Sequence, residues 1–253
     1  MSLESHGISD TGCVRTGNED RILVEPGLGL YAVCDGMGGH QHGEIAAELA
    51  IAAIRYYVDL SRDRFDVTWP FGFDFHLSAD ANRLVTSVKL ANREIWRKAE
   101  QTLECAGMGT TVAAVLCDGE NYVVANAGDS RVYRFRDSLL EQLTEDDTMV
   151  GSMTKKGLLS EEEARNHPMR NVLTQAAGSV ESIEVHIREE VLRPGDLVLL
   201  ASDGLHGVIE PEEIRAVLAR PWSVDECTRR FIEAARRAGA PDNVSVVLLR
   251  YDG

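Results

Sequence analysis

The amino-acid sequence predicts an α+β layered domain rather than a doubly wound parallel sheet, and three observations carry the prediction. Short apolar runs rich in Val, Leu and Tyr follow one another in hairpin-like succession, and helical stretches stand grouped apart from them. Hydrophobic residues make up 44% of a chain of 253 residues, enough to close a core without covalent staples. No low-complexity tract, internal repeat or Pro/Ser-rich linker interrupts the chain, so residues 1–253 are expected to form a single domain.

The runs at 21–25, 30–34, 111–116, 122–127, 131–136, 197–201 and 244–250 read as strands. Cys117-Asp118-Gly119-Glu120 separates two of them, and Asp-Gly at that place is a hairpin signal. Residues 45–58 set Ile45, Leu49, Ala52 and Tyr56 at helical spacing, and a second helix carries Leu84, Val88, Ala91, Ile95 and Ala99 in one stripe. Ser160-x-x-Glu163 and Ser223-x-x-Glu226 are capping boxes opening two later helices, the second ending near Arg237, before Gly239 and Pro241. Residues 144–180 are polar and helix-capped yet wedged between strands, which suits a lid. The stretch 59–77, with Trp69, Pro70, Phe71, Phe73 and Phe75, reads as buried aromatic packing rather than an exposed patch.

Charge narrows the function classes. With 41 acidic against 26 basic residues the formal net charge is -15, which argues against binding nucleic acid or anionic lipid. Capture of a small phosphate by one local cation remains open. Five cysteines (Cys13, Cys34, Cys105, Cys117, Cys227), with no C-x-x-C spacing, suit a reducing compartment better than a disulfide scaffold. No targeting segment and no bilayer-length apolar run is visible, so a cytoplasmic protein is expected.

The placement of particular acids is more informative than their number. Asp35 follows Leu-Tyr-Ala-Val-Cys and precedes Gly36, Asp129 follows Tyr-Val-Val-Ala-Asn-Ala-Gly, and Asp203 follows Leu-Val-Leu-Leu-Ala-Ser. Asp242 stands before Asn243 and the last strand, and Asp20 sits beside Glu19 at the mouth of an early one. Each alone reads as turn chemistry, as Asp118-Gly119 does. Together, carboxylates converging from strand ends repel one another unless protonated or neutralised by a cation. Oxygen donors without His or Cys select Mg²⁺ or Mn²⁺ over Zn²⁺. Arg15, close in sequence to Glu19 and Asp20, is a candidate fork for two phosphate oxygens. Rival motifs are missing: there is no G-x-x-x-x-G-K-[ST], no G-x-S-x-G and no H-E-x-x-H, and His40-x-His42 has no further His or Cys nearby.

Six segments occur in a telling order: Arg15-x-x-Asn18-Glu19-Asp20, Val33-Cys34-Asp35-Gly36-Met37-Gly38-Gly39-His40-x-x-Gly43-Glu44, Gly109-Thr110-Thr111, Ala127-Gly128-Asp129-Ser130-Arg131, Ser202-Asp203-Gly204-Leu205 and Asp242-Asn243. In them the chain resembles the bacterial members of the protein phosphatase 2C (PPM) family, the metal-dependent serine/threonine phosphatases.

The resemblance implies a four-layer α-β-β-α sandwich, two antiparallel sheets flanked by helices, with residues 144–180 as a flap-like insert. It implies that Asp35 bridges two Mn²⁺ or Mg²⁺ ions and that the Gly36 carbonyl contacts one of them. Asp203 and Asp242 would hold the other, and Asp129 with Asp203 a third, weaker site. Glu19 and Asp20 would be outer partners holding waters, and Arg15 the phosphate clamp. A water activated between the ions would attack phosphorus in line. Animal relatives place a His directly after the Asp-Gly pair. Met37 stands there in this chain, which leaves His40 or water to protonate the leaving oxygen, with water preferred.

The expected activity is hydrolysis of phosphoserine and phosphothreonine in substrates of a bacterial Ser/Thr kinase, by a monomer with no nucleic-acid or membrane partner. One alternative is a regulatory or binding module that kept the fold and lost catalysis. The full carboxylate set argues against it. Another is a di-metal phosphodiesterase or nuclease, against which the missing basic groove counts.

Overall fold

Two five-stranded antiparallel sheets lie face to face, each covered on its outer side by helices. This computed structural model describes all residues except 1–2, 39–41, 63, 65–66, 161–162 and 165–166. The chain opens with β1 (Leu3–Asp10), β2 (Arg21–Glu25), β3 (Leu30–Cys34) and the short β4 (Gly36–Met37). Two long helices follow, α1 (His42–Ser61) and α2 (Ala79–Gln101). Next come β5 (Gly109–Thr110), β6 (Val112–Asp118), β7 (Asn121–Ala127), β8 (Arg131–Arg136) and β9 (Leu139–Gln142). After α3 (Met149–Lys155) stand β10 (His186–Val191) and β11 (Leu197–Ala201). The helices α4 (Asp203–His206), α5 (Pro211–Leu218) and α6 (Val224–Arg237) then lead into β12 (Val244–Tyr251).

The strand order is β1-β12-β11-β8-β9 in one sheet and β10-β7-β6-β3-β2 in the other, with β4 and β5 paired apart. Side-chain alternation along each strand sorts residues between two interfaces. On β3, Leu30, Ala32 and Cys34 face α1 and α2, while Tyr31 and Val33 enter the layer between the sheets. On β11, Leu197, Leu199 and Ala201 pack with α4–α6, while Val198 and Leu200 point between the sheets. Strands wetted on neither face explain the unbroken apolar runs that made them legible. The four-layer α-β-β-α architecture is therefore the one expected.

Several local expectations hold in detail. Asp118 pairs with Asn121 across a two-residue turn whose Gly119 has φ +61. Ser223 caps α6 through its side chain, which accepts from Glu226 N at 3.2 Å. The Ser160 box closes both ways, Ser160 N donating to Glu163 Oε2 (2.8 Å) and Glu163 N to Ser160 Oγ (3.3 Å), although part of its helix lies outside the described residues. All five cysteines are free thiols.

Five strands escaped the sequence reading: β1, β9 and β10, which are edges of the two large sheets, and the two-residue pair β4 and β5. The aromatic stretch is only partly buried. Trp69 stacks edge-on between Tyr57 and Phe73 (6.2 and 5.0 Å), but Phe75 is 89% exposed. Among the described residues no helix is long and apolar enough to cross a membrane.

Candidate active site

The acids singled out in the sequence stand at strand ends on one rim of the sandwich. Asp35 follows β3, and its backbone is locked to the neighbouring turn. Asp35 N donates to Thr111 Oγ1 (3.0 Å), and Asp35 O accepts from Thr111 N and Thr110 Oγ1 (2.9 Å each). At Gly36 a Cβ would lie 2.2 Å from Gly43 O and 2.6 Å from Glu19 O, so only glycine lets these three backbone segments meet. Gly204 has the same role beside Asp203, where a Cβ would lie 1.8 Å from Asn243 O. The glycines of the Asp-Gly pairs thus draw separate segments together, which is a stronger constraint than turn propensity.

Asn243 fixes the loop that carries Arg15 and Glu19. Its Nδ2 donates to Thr11 O and Gly17 O, and its Oδ1 accepts from Glu19 N, all at 2.9 Å. The sequence singled out Asp242-Asn243 as a pair, yet nothing in it indicated that Asn243 would span 226 residues to order this loop. Arg15 Nη2 then donates to Asp242 Oδ2 (2.8 Å), while Asp242 Oδ1 accepts from Asn243 N (2.9 Å).

Asp20 is 2% exposed and accepts from Ser202 Oγ (3.0 Å), a hydroxyl that consequently does not cap α4. Ser202 Oγ also accepts from Ser245 N (3.0 Å), linking Asp20 to the start of β12. On the other side of Asp203, His206 Nε2 donates to Asp129 O (3.1 Å) and holds the Asp129 turn against α4. Burial keeps His206 neutral by pushing its pKa well down, with the Arg131 charge adding to the effect. His206 was not anticipated, and a lone His one turn after an Asp-Gly pair carries no recognisable signal.

The electrostatics are those of crowded, dry carboxylates. Burial, then the charges of Asp20, Asp203, Asp129 and Asp242, push Asp35 well above the ordinary range. Burial raises Asp20 to about 6 and, with Asp203 and Asp146 nearby, Asp129 to about 7. Asp203 is raised by burial and by Asp242, and its Oδ1 is buried without a hydrogen-bond partner. Glu19 is raised chiefly by burial.

The acids converge as charges rather than as a closed cage: among the described residues no three His, Cys, Asp or Glu side chains are gathered closely enough to hold one ion. Both Asp242 oxygens are engaged by Arg15 and Asn243, and Asp20 is turned to Ser202. Even so, the donor set fits a hard divalent cation. It is all oxygen, one buried carboxylate oxygen is orphaned, and the mutual repulsion asks for positive charge.

Asp129, Asp203, Gly204 and Asp242 line a cleft of about 1020 Å³. Thr148, Gly151, Ser152 and Lys155 of the 144–180 insert form part of its wall, as do His206 and Pro211. Met37 pairs with Gly109 across β4 and β5, and His40 lies outside the described residues.

Comparison with known proteins gives this rim a context. The family model described as Protein phosphatase 2C matches residues 15–245. The serine/threonine protein phosphatase PstP of Mycobacterium tuberculosis is 38% identical over 240 residues, which are 95% of this chain but 43% of PstP, so the chain spans less than half of that relative. The serine/threonine phosphatase stp of Listeria monocytogenes is 33% identical, covering 96% of this chain and 94% of its own. The crystal structure of M. tuberculosis PstP superposes with a TM-score of 0.87 at 36% identity, covering 99% of each chain. The PstP catalytic domain in complex with two manganese ions gives 0.82 at 35% identity over 98% of this chain and 97% of that one. Sheet order, the glycine-enforced approach of the Asp35 segment to Glu19 and Gly43 and of the Asp203 segment to Asn243, and a family match over 15–245 agree: this chain belongs to the protein phosphatase 2C family.

Proposed function

We propose that the protein is a metal-dependent serine/threonine phosphatase that hydrolyses phosphoserine and phosphothreonine in proteins phosphorylated by a bacterial Ser/Thr kinase. The observation that carries this reading is the set of buried, mutually repelling carboxylates around the orphaned Asp203 Oδ1 at the foot of an open cleft. Residues 1–253 are read as one phosphatase domain, with 144–180 as its flap-like insert.

Asp35, the Gly36 carbonyl, Asp203 and Asp242 would hold two Mn²⁺ or Mg²⁺ ions, and Asp129 with Asp203 a third, weaker one. Such ions supply Lewis acidity that activates water and offsets charge on the phosphoryl oxygens. The remaining steps belong to the chain. Glu19, and Asp20 buried behind it, would serve as acceptors for ordered water. Arg15 offers a planar fork of five donors, one of which reaches Asp242, and its remaining donors suit a phosphate. Met37 has no proton to give, and His206 commits its Nε2 hydrogen to Asp129 O, which leaves water, preferred here over His40, to protonate the leaving oxygen.

Turnover of p-nitrophenyl phosphate and of a phosphothreonine peptide, with Mn²⁺ and with chelator, tests the reading. Metal-dependent hydrolysis of both is expected. Its absence would favour the regulatory-module alternative, and faster cleavage of a dinucleotide the phosphodiesterase one. Binding has its own readout: Mn²⁺ at 100 times its Kd stabilises by about 2.7 kcal/mol, roughly 5–11 °C in Tm for a chain of this size. In Asp203→Asn that shift should largely vanish, because an anionic ligand is lost.

A further inference from the structure

One residue of the 144–180 insert, Asp147, ties its first segment to three other parts of the chain at once. Asp147 Oδ2 accepts from Gly128 N (2.9 Å) and from Gln175 Nε2 (2.8 Å), and Asp147 Oδ1 accepts from His186 Nε2 (2.9 Å). Its backbone adds two bonds, Asp147 N donating to Gly128 O (3.0 Å) and Thr174 N to Asp147 O (2.7 Å). One residue therefore joins the first segment of the insert, its returning segment at Thr174 and Gln175, β10 and the turn that carries Asp129. Asp146 beside it reaches only the body, through its two-pronged pair with Arg131 (2.7 and 3.0 Å), and the side chain of Gln142.

The turn does not depend on this contact for its own shape. Gly128 sits at φ +105, and a Cβ there would lie 2.8 Å from Thr111 Cβ. Asn126 Nδ2 holds Gly128 O (3.2 Å) and Ser130 O (3.1 Å), Ser130 Oγ meets Thr111 Oγ1 (2.7 Å), and His206 holds Asp129 O. Loosening Asp147 would thus release the ties among the first segment, Gln175 and His186 and leave the turn in place, with Asp146 still on Arg131, Ala177 still paired with Thr110 and Gly178 N still on Asn92 Oδ1. What would move is the cleft wall formed by Thr148, Gly151, Ser152 and Lys155.

We propose that Asp147 is a positioning residue, a latch that holds this wall in the place where a phosphorylated polypeptide must meet it. The proposal rests on the phosphatase reading above. On this proposal a small aryl phosphate would need only the carboxylate end of the cleft, whereas a peptide chain flanking the phosphate would also run along the wall that lines the same cleft. Asp147 therefore governs protein substrates selectively.

The variant Asp147→Asn keeps the shape but offers one acceptor oxygen to three donors and turns an NH₂ toward the rest. The ratio of KM for a phosphothreonine peptide to KM for p-nitrophenyl phosphate, both with Mn²⁺, should rise about tenfold, with kcat for the aryl phosphate within about threefold of wild type. Tryptic cleavage after Lys155 and Lys156 should accelerate, since the wall is no longer pinned. Gln175→Met removes one donor to the carboxylate, together with the two bonds of Gln175 to the Glu184 backbone, and should move both readouts the same way by less. KM values that rise together for both substrates, or a tryptic rate equal to wild type, would overturn the latch. If wild type hydrolyses neither substrate, the phosphatase reading fails, and the tryptic rates still decide whether Asp147 pins the insert.

Discussion

The three hydrogen bonds of Asn243 make the sharpest test of how the site is assembled. Asn243 is 5% exposed and replaces solvent for Thr11 O, Gly17 O and Glu19 N. Substitution by Ala leaves all three backbone groups without that partner. At roughly 1 kcal/mol net per bond, and with partial rescue by water because the loop itself is half-exposed, the loss is about 2–3 kcal/mol. For a domain of this length that corresponds to about 4–12 °C in Tm. Thermal unfolding followed by circular dichroism reads it directly, in chelator so that bound metal does not mask the change. Asn243→Asp sharpens the reasoning. It keeps an acceptor for Glu19 N but sets an anionic oxygen against two carbonyls and beside Asp242, so it should be at least as destabilising as Ala. A midpoint within about 1 °C of wild type in both variants would refute the clamp.

Three further outcomes are expected. Arg15→Ala should raise KM for phosphopeptides by about 10–100-fold with a smaller change in kcat, since charge-assisted contacts to the phosphate are lost; an unchanged KM would remove Arg15 from the site. Glu190→Gln should cost about 1–3 kcal/mol in urea unfolding at constant m, because Glu190 joins Arg134 and Arg188 (2.6 Å each) across the edges of the two sheets. The same network predicts a pH effect. Burial pushes Glu141 up, but the hydrogen bonds from Arg188 and Arg134 prevail and hold it below the ordinary 4.5. A lowered carboxylate contributes stability that is fully present above its unfolded value and is lost as pH falls through the folded one. Stability should therefore decline below about pH 4.5 less steeply in Glu141→Gln than in wild type.

Elements differed in how far the sequence revealed them, and burial explains the difference. The strands β3, β8 and β11 match their expected limits because residues on both faces are apolar, or alternate with a clear period. The edge strands β1 (LESHGISD), β9 (LLEQ) and β10 (HIREEV) carry polar side chains on solvated positions, and their strand character comes from backbone pairing with β12, β8 and β7. Backbone hydrogen bonds leave no mark in side-chain identity, so such strands are silent until a partner is placed beside them. The aromatic stretch was misjudged for a related reason: a Phe is apolar wherever it sits, and only the fold decided that Phe73 would stack while Phe75 faced water.

At the site, the sequence by itself determined which residues are the chemical candidates. Asp-Gly pairs at the ends of apolar runs, one Arg near two acids and the order of six segments suffice to name the family and its carboxylates. Tertiary structure alone decided how they relate. It brought Asp203 beside Asp35 across a separation of 168 in the numbering and gave Asn243 its grip on the Arg15 loop. It also set His206 behind Asp129 and made Asp147 the fastening of the insert. The physical reason is range. Turn chemistry and periodicity act over a few residues and are written locally, whereas burial, mutual repulsion of carboxylates and hydrogen bonds between distant loops exist only once the sheets have packed.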